Sequence, residues 1–302
     1  MIEGKTKIIE DLDDPNLIRI RTKDSLTAND AAIKADLPVA KDKTTQNCCV
    51  MHYLKQAGVP VAYETRNDDT SFVSKKCEMI PVECVMRRRA FGSYLKREPS
   101  KKSGDIFDPL LTEFFHKNAV VGNEMMSEDK ARELYLRDGE WTETVYTDPL
   151  IDFISIASTD TWMLFPPKEP RYDMQPLKYI QPEVDNETLE YIRTKLMIPC
   201  FELLEKAWKQ FDVELIDMKI EIGRTSDGEL VIADVIDNDS WRIWPKGDPK
   251  QQLDKQSFRD GEGLTEIQEK YAVVSGYTQQ FKIVRWSEDV DQYIGKLKHG
   301  GK

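Results

Sequence analysis

Val213 to Gly223 alternates in hydropathy, Leu230 to Ile236 is apolar, and between them Ser226-Asp227-Gly228-Glu229 carries the Asp-Gly signal of a tight β-turn. A chain with this pattern is expected to build a hairpin, and the hairpin decides where its charges go. On the first strand Asp217, Lys219 and Glu221 fall on one face, because side chains alternate along a strand. If Asp227-Gly228 is a two-residue loop, Ser226 faces Glu229, and counting outward sets Glu221 opposite Asp234. Facing carboxylates repel, and burial adds a desolvation cost. A divalent cation between them removes both problems, and Mg²⁺ accepts one or two protein carboxylates while phosphates and waters fill its other positions. The spacing predicts a magnesium–phosphate site, with Lys219 able to reach a phosphate oxygen. The competing reading is a solvent-facing strand with ordinary charges. Against it, Leu230 and Ile232 share a face with Asp234.

Other charged runs point the same way. Glu83, Arg87 and Arg89 share strand parity, and Gly92-Ser93 would open a short helix at Tyr94-Leu95-Lys96-Arg97. Arginine grips phosphate bidentately, and a helix start adds N–H donors. Glu83 among so many arginines reads equally well as a structural ion pair. Glu3-Gly4-Lys5-Thr6-Lys7 sets a glycine and two lysines before a strand, without the spacing of a Walker A loop; an edge strand with lysines is the plainer reading. After the hairpin, Asp234, Asp237 and Asp239 lack the glycine and terminal glutamate of an EF-hand, and Arg242 could reach a substrate phosphate. Lys255 and Arg259, four apart, share a helical face, for which a solvated surface is the usual account. His52 and Cys48-Cys49 read as structural.

Charge and composition exclude several classes. The 302 residues carry a formal net charge of -11, which repels a phosphate backbone but still permits a local basic pocket for a small phosphate. No apolar run approaches the length of a membrane span, and the start carries no signal-peptide core. Five cysteines without a CxxC pair and three separated histidines argue against a zinc centre or a Ser-His-Asp triad. Together these predict a reduced, cytoplasmic setting.

Along the chain, strands are expected at Lys7–Glu10, Leu17–Arg21, Pro60–Glu64, Ser71–Ser74 and around Met79–Met86, with Pro81 as a strand start or a connection between lobes. A helix is expected from about Thr44 to Ala57, ending at Gly58. Residues 98–185 read as surface loops and short helices. A long amphipathic helix begins after Asp185-Asn186, with a kink at Pro199, and helices follow from about Thr265.

In order, Glu3–Lys7, Thr27–Asp30, Cys77–Glu83, Arg87–Ser93, Val213–Gly223 and Ala233–Arg259 resemble the SAICAR synthetase family, and especially the synthetase half of the animal bifunctional enzyme. The resemblance spans roughly residues 1–120 and 186–285. It implies an α+β, two-lobed, ATP-grasp-like fold, with a β-rich nucleotide lobe (1–78) and a larger lobe (79–302) around an ATP cleft. It implies ligation of L-aspartate to CAIR (carboxyaminoimidazole ribonucleotide), giving SAICAR, ADP and phosphate through an acyl phosphate in purine biosynthesis. ATP is then the co-substrate and Mg²⁺ the metal. CAIR and L-aspartate are the partners, with no nucleic acid or membrane and with a homodimer left open.

The resemblance also implies roles for individual residues. Lys5, Thr6 and Lys7 would line the ATP phosphates. Ile9 and Ile18 would pack on adenine, bordered by Lys75, Cys77 and Met79. Lys219 would contact nucleotide, and Glu221 and Asp234 would ligate Mg²⁺. Glu83, Arg87, Gly92, Ser93 and Arg242 would hold CAIR, and Asp30, Asp239, Lys255 and Arg259 would line the rest of the cleft. Three features depart from the family pattern. Lys43-Thr44-Thr45 stands where Asn-Lys is usual, Phe115-His116-Lys117-Asn118-Ala119 replaces a Phe-Lys-Asn/Asp-Asp-Ala stretch, and about 135–183 reads as an insertion. A kinase-like phosphotransferase and a non-catalytic nucleotide-binding module remain the alternatives.

Overall fold

Lys7–Asp11 and Leu17–Thr22 form adjacent antiparallel strands across a turn rich in Asp, Pro and Asn, as expected. They sit in a five-stranded antiparallel sheet ordered Ile2–Glu3, Lys7–Asp11, Leu17–Thr22, Ser71–Lys75, Tyr63–Arg66. The pairs Lys7–Thr22, Ile9–Ile20 and Asp11–Ile18 place Lys7, Thr22, Ile9 and Ile18 on one face. The computed structural model describes residues 1–28, 33–152, 161–170 and 175–282.

The helix Ala40–Gln56 starts earlier than its apolar pattern suggested, and Gly58 follows it with a left-handed φ of 86°. Its first turns bury polar residues, which hid them from periodicity. Gln46 accepts from the amide of Asn238 and donates to the carbonyl of Tyr271, while Asn47 accepts from the amide of Ile236. The helix thus clamps the segment after the hairpin.

The larger sheet has eight strands among the described residues. At its centre Glu78–Arg89 lies between Ile106–His116 and Val213–Arg224. On its far edge Val213–Arg224 pairs with Leu230–Ala233 and then with Trp241–Pro245. Two expectations need correction here. Pro81 neither starts the strand nor interrupts it; it lies within Glu78–Arg89, where the ladder to Val213–Arg224 shifts register, so its missing N–H costs no ladder bond. Residues 98–185 are not mainly loops and short helices. They supply the eleven-residue strand Ile106–His116, a three-stranded sheet (Asn118–Val121, Glu124–Ser127, Val145–Thr147) and three strands that widen the large sheet. Asp108, Pro109 and Glu113 break the hydropathy alternation of Ile106–His116, and buried Glu113 is neutralised by two arginines.

The helix after Asp185 is irregular one turn before Pro199. Asn186–Tyr191 is α-helical, Ile192–Met197 is π-helical and Ile198–Lys209 is α-helical again. Proline lacks the amide that would bond the turn behind it, and the ladder widens there. Leu264–Thr278 packs on Ala40–Gln56. One apolar cluster joins Ile20 and Phe72 of the first sheet to Val82, Ile220 and Ile243 of the second, with Trp208 beneath. Among the described residues no helix is long and apolar enough to cross a membrane.

Candidate active site

The hairpin forms, but with a longer loop than the Asp-Gly pair alone implied. Thr225 and Glu229 close it through a backbone bond of 3.0 Å, and Arg224 pairs with Leu230. The odd loop shifts the register by one residue, so Glu221 faces Ala233, not Asp234. Asp234 nevertheless reaches the same side. It follows the strand end with a left-handed φ of 58°, which redirects the chain, and both carboxylates line one cavity of about 360 Å³.

Acids of that cavity and of the strand beside it are paired with lysines. Lys7 Nζ contacts Asp234 Oδ1, Lys117 Nζ lies 2.5 Å from Glu221 Oε2, and Lys219 Nζ contacts Glu83 Oε1. Burial pushes the Asp234 carboxyl up, but Lys7, Lys117 and Lys219 outweigh it and hold the group below its usual range. Glu83 is lowered in the same way, burial being overcome by Lys219, Lys117 and Arg87. Glu83 in turn raises the pKa of Lys219 against the effect of burial. Asp234 and Glu83 are therefore held as carboxylates and Lys219 as an ammonium group at neutral pH. Two carboxylates facing one space fit the donor set of Mg²⁺, which is completed by phosphates and waters. Among the described residues no group of three or more His, Cys, Asp or Glu is arranged as an all-protein metal cage.

A third layer lies behind. Lys43, 3% exposed, is 2.8 Å from Asp239 and 3.9 Å from Asp237. Burial disfavours its charge, yet Asp239 and Asp237 raise its pKa. Lys255 stands 3.2 Å from Asp239, and the Tyr271 hydroxyl donates to the same carboxylate at 2.6 Å. Burial lowers the pKa of Lys255 although Asp239 opposes it, and burial and the charge of Arg242 lower that of Arg259.

A second cavity, about 490 Å³, adjoins the first, and Lys219, Asp239, Ser240 and Arg259 line both. Its floor is an arginine cluster. Arg87 donates to Asp217 at 3.0 Å, to Glu113 at 2.7 Å and to Ser93 Oγ at 3.4 Å. Arg242 donates to the same Asp217 oxygen at 2.7 Å and lies over the Phe91 ring. Ser93–Arg97 is helical as expected, with Gly92 at its start. Gly92 has a φ of 60°, and a β-carbon there would come within 2.8 Å of the Arg242 guanidinium. Only glycine lets Arg242 lie across this turn.

Of the residues singled out in the sequence, Lys5, Thr6, Lys7, Lys219, Glu221, Asp234, Lys255 and Arg259 line the first cavity. Glu83, Arg87, Gly92, Ser93 and Arg242 line the second, and Asp239 lies on their common wall. Five others line neither. Ile9 and Ile18 are half-buried on the face that carries Lys7 and Thr22, Lys75 pairs with Glu229 at 3.0 Å, Cys77 packs on Ala62, Val231 and Ala233, and Met79 is exposed. Asp30 lies outside the described residues. Sequence reasoning gave no site role to Asp217, Glu113 or Tyr271, weighed Asp237 only within an acidic run whose spacing does not match an EF-hand, and had only noted Lys43 and Lys117. For Asp217 the signal was present, since it shares strand parity with Lys219 and Glu221.

Comparison with known proteins supplies the family. The family model described as SAICAR synthetase matches residues 1–148 and 173–275. The chain is 38% identical over 292 residues to "Probable multifunctional protein ADE2" of Caenorhabditis elegans, covering 93% of this chain and 58% of that protein. It thus spans little more than half the length of that relative. It is 36% identical over 287 residues to the phosphoribosylaminoimidazole-succinocarboxamide synthase of Chloroflexus aurantiacus, covering 92% of this chain and 95% of the other. A solved "SAICAR synthetase (Type-2) in complex with ADP" shares the fold at a TM-score of 0.68 and 21% identity, covering 94% of this chain and 99% of the other. On the extent of these matches, the chain belongs to the SAICAR synthetase family.

Proposed function

We propose that this protein joins L-aspartate to CAIR at the expense of ATP, releasing SAICAR, ADP and phosphate. The observation that carries the reading is the pair of adjoining cavities with a common wall of Lys219, Asp239, Ser240 and Arg259. A triphosphate suits the cavity that holds Lys5, Lys7 and Lys219 beside two carboxylates. A phosphate ester suits the cavity floored by Arg87, Ser93 and Arg242. The fold neighbour solved with ADP supports a nucleotide as one ligand. The adenine would rest on Ile9 and Ile18, which continue the face of Lys7, near Lys75, Cys77 and Met79. In this reading the five-stranded sheet belongs to a nucleotide lobe (1–78) and the eight-stranded sheet to a larger one (79–302), in an ATP-grasp-like arrangement.

The chemistry follows from charge. The CAIR carboxylate oxygen attacks the γ-phosphorus, the bond to the β-phosphate oxygen breaks, and ADP leaves. The aspartate amine then attacks the acyl carbon, phosphate departs and the nitrogen loses a proton. Lys7 and Lys219 neutralise charge on the transferred phosphoryl group, and Arg87 and Arg242 fix the CAIR phosphate so that the carboxylate points to the common wall. Mg²⁺, held by Glu221 and Asp234, would add Lewis-acid stabilisation of the phosphate oxygens. No side-chain nucleophile is needed.

A coupled assay of ADP release tests this. Release that requires both CAIR and L-aspartate supports the ligase. Release with CAIR that ignores aspartate indicates a phosphotransferase, and binding of nucleotide without turnover indicates a non-catalytic module.

A further inference from the structure

Behind the arginine-floored cavity runs a line of buried charge. Val85 pairs with Glu113 and Arg87 with Leu111 across adjoining strands, so Glu113 and Arg87 project from one face of the large sheet. Glu113 divides its carboxylate between two arginines: Oε2 accepts from Arg87 Nε at 2.7 Å, and Oε1 accepts from Arg97 Nη2. Arg97, 2% exposed, is anchored in turn by the carbonyl of Pro167 at 2.8 Å and lies over the Phe115 ring. Burial pushes the Glu113 carboxyl up, but Arg87 and Arg97 outweigh it and hold the group below its usual range. Arg87 lines the cavity, whereas Glu113 and Arg97 do not.

The contacts of Arg87 decide which part of it meets a ligand. Nε goes to Glu113 and Nη1 to Asp217, which fixes the plane of the guanidinium at two of its three nitrogens. The third, Nη2, turns to Ser93 Oγ at 3.4 Å, on the cavity lining. Ser93 and Arg97 stand four apart on one short helix, so Arg97, Glu113, Arg87 and Ser93 close a ring of contacts with that helix as its last side. Along the line, the guanidiniums of Arg97, Arg87 and Arg242 alternate with the carboxylates of Glu113 and Asp217, which leaves one positive charge in excess for an anion to balance. For stability alone, apolar packing of the same volume would serve as well as these buried ion pairs. We propose that Glu113 and Arg97 are positioning residues for the phosphate of CAIR: Arg97 holds Glu113, and Glu113 turns Arg87 so that Nη2 faces that phosphate, a role that rests on the ligase reading of this cavity.

Steady-state kinetics on the full chain, with CAIR, ATP and L-aspartate varied in turn, test this. Glu113→Gln, which keeps the shape and removes the charge, should raise the CAIR KM by about tenfold, the scale of one weakened charge-assisted contact. Glu113→Asp, which keeps the charge on a shorter stem, should raise it by about threefold. Arg97→Met should also raise it by about threefold, and Arg97→Lys should restore most of that loss. The KM values for ATP and L-aspartate should stay within about twofold and kcat within about threefold, because the lost contact serves CAIR alone. Since Arg97 acts through Glu113, Arg97→Met should add almost nothing in the Glu113→Gln background. An unchanged CAIR KM in either Glu113 variant, an equal rise in all three KM values, or full additivity of Glu113→Gln and Arg97→Met overturns the positioning role and leaves the ligase reading intact. An unsubstituted chain whose ADP release does not require both CAIR and L-aspartate overturns the ligase reading itself, and the positioning role with it.

Discussion

Arg87 and Arg242 converge on one oxygen atom: the Nη1 of each donates to Oδ2 of Asp217, at 3.0 and 2.7 Å. The two guanidiniums would otherwise repel across the cavity floor. One carboxylate, 4% exposed, fixes their spacing on the cavity floor.

Asp217→Asn keeps the shape and removes the charge. We expect the CAIR KM to rise by about tenfold or more, with a smaller fall in kcat, and unfolding in urea to lose ~2–4 kcal/mol because buried Arg87 and half-buried Arg242 lose the negative charge between them. A variant with native CAIR affinity would show that the arginines are held by other means.

Asp234 occupies a left-handed backbone position that asparagine tolerates well. Asp234→Asn should therefore spare the melting temperature while lowering kcat by roughly 10²–10³-fold, the scale of losing one preorganised electrostatic contact. Activity unaltered across a Mg²⁺ titration would remove this residue from the metal site.

Gly92→Ala forces a β-carbon toward the Arg242 guanidinium and strains a positive φ. A stability loss of ~1–2 kcal/mol and a higher CAIR KM are expected. Arg242→Ala alone should also raise the CAIR KM. In the Arg242→Ala background the added effect of Gly92→Ala on that KM should nearly vanish, since the two changes act through one contact. Full additivity would contradict the packing described.

Asp254, 2% exposed, accepts from the amides of Ile243 and Gln256, yet burial pushes its carboxyl up to about 6, with Asp217 adding to the rise and Arg242 opposing it. Its folded pKa lies above the unfolded value, so it contributes stability that is present below about pH 4 and lost as pH rises through about 6. Asp254→Asn should flatten that part of the pH dependence by ~2–3 kcal/mol between pH 4 and 7, read from urea midpoints at each pH. The absolute stability of the variant will also fall, because an amide nitrogen replaces one acceptor. The slope is the diagnostic quantity, and an unchanged slope would count against a raised folded pKa.

Much of the fold could be read where the apolar pattern is regular, as in Leu17–Thr22 and Val213–Arg224. It could not be read where polar groups are buried in pairs. Glu113 breaks the alternation of Ile106–His116 because Arg87 and Arg97 neutralise it from elsewhere in the chain. Gln46 and Asn47 likewise hide the start of a helix by serving distant backbone groups. The pairing of Glu221 with Asp234 was a local inference that failed locally. The loop held more residues than its Asp-Gly dipeptide implied, and the left-handed turn at Asp234 restored by geometry what the register took away. Lys43 and Asp239 meet only through tertiary folding, and no spacing rule connects them.

The wall common to both cavities bears on timing. A mixed anhydride of carboxylate and phosphate hydrolyses readily in bulk water. If it forms against Lys219 and Arg259, the incoming amine is already a neighbour, and no diffusive journey separates the two half-reactions. Yield then depends on how few solvent molecules share that seam, so loosening its packing should uncouple ATP consumption from product before it slows either step.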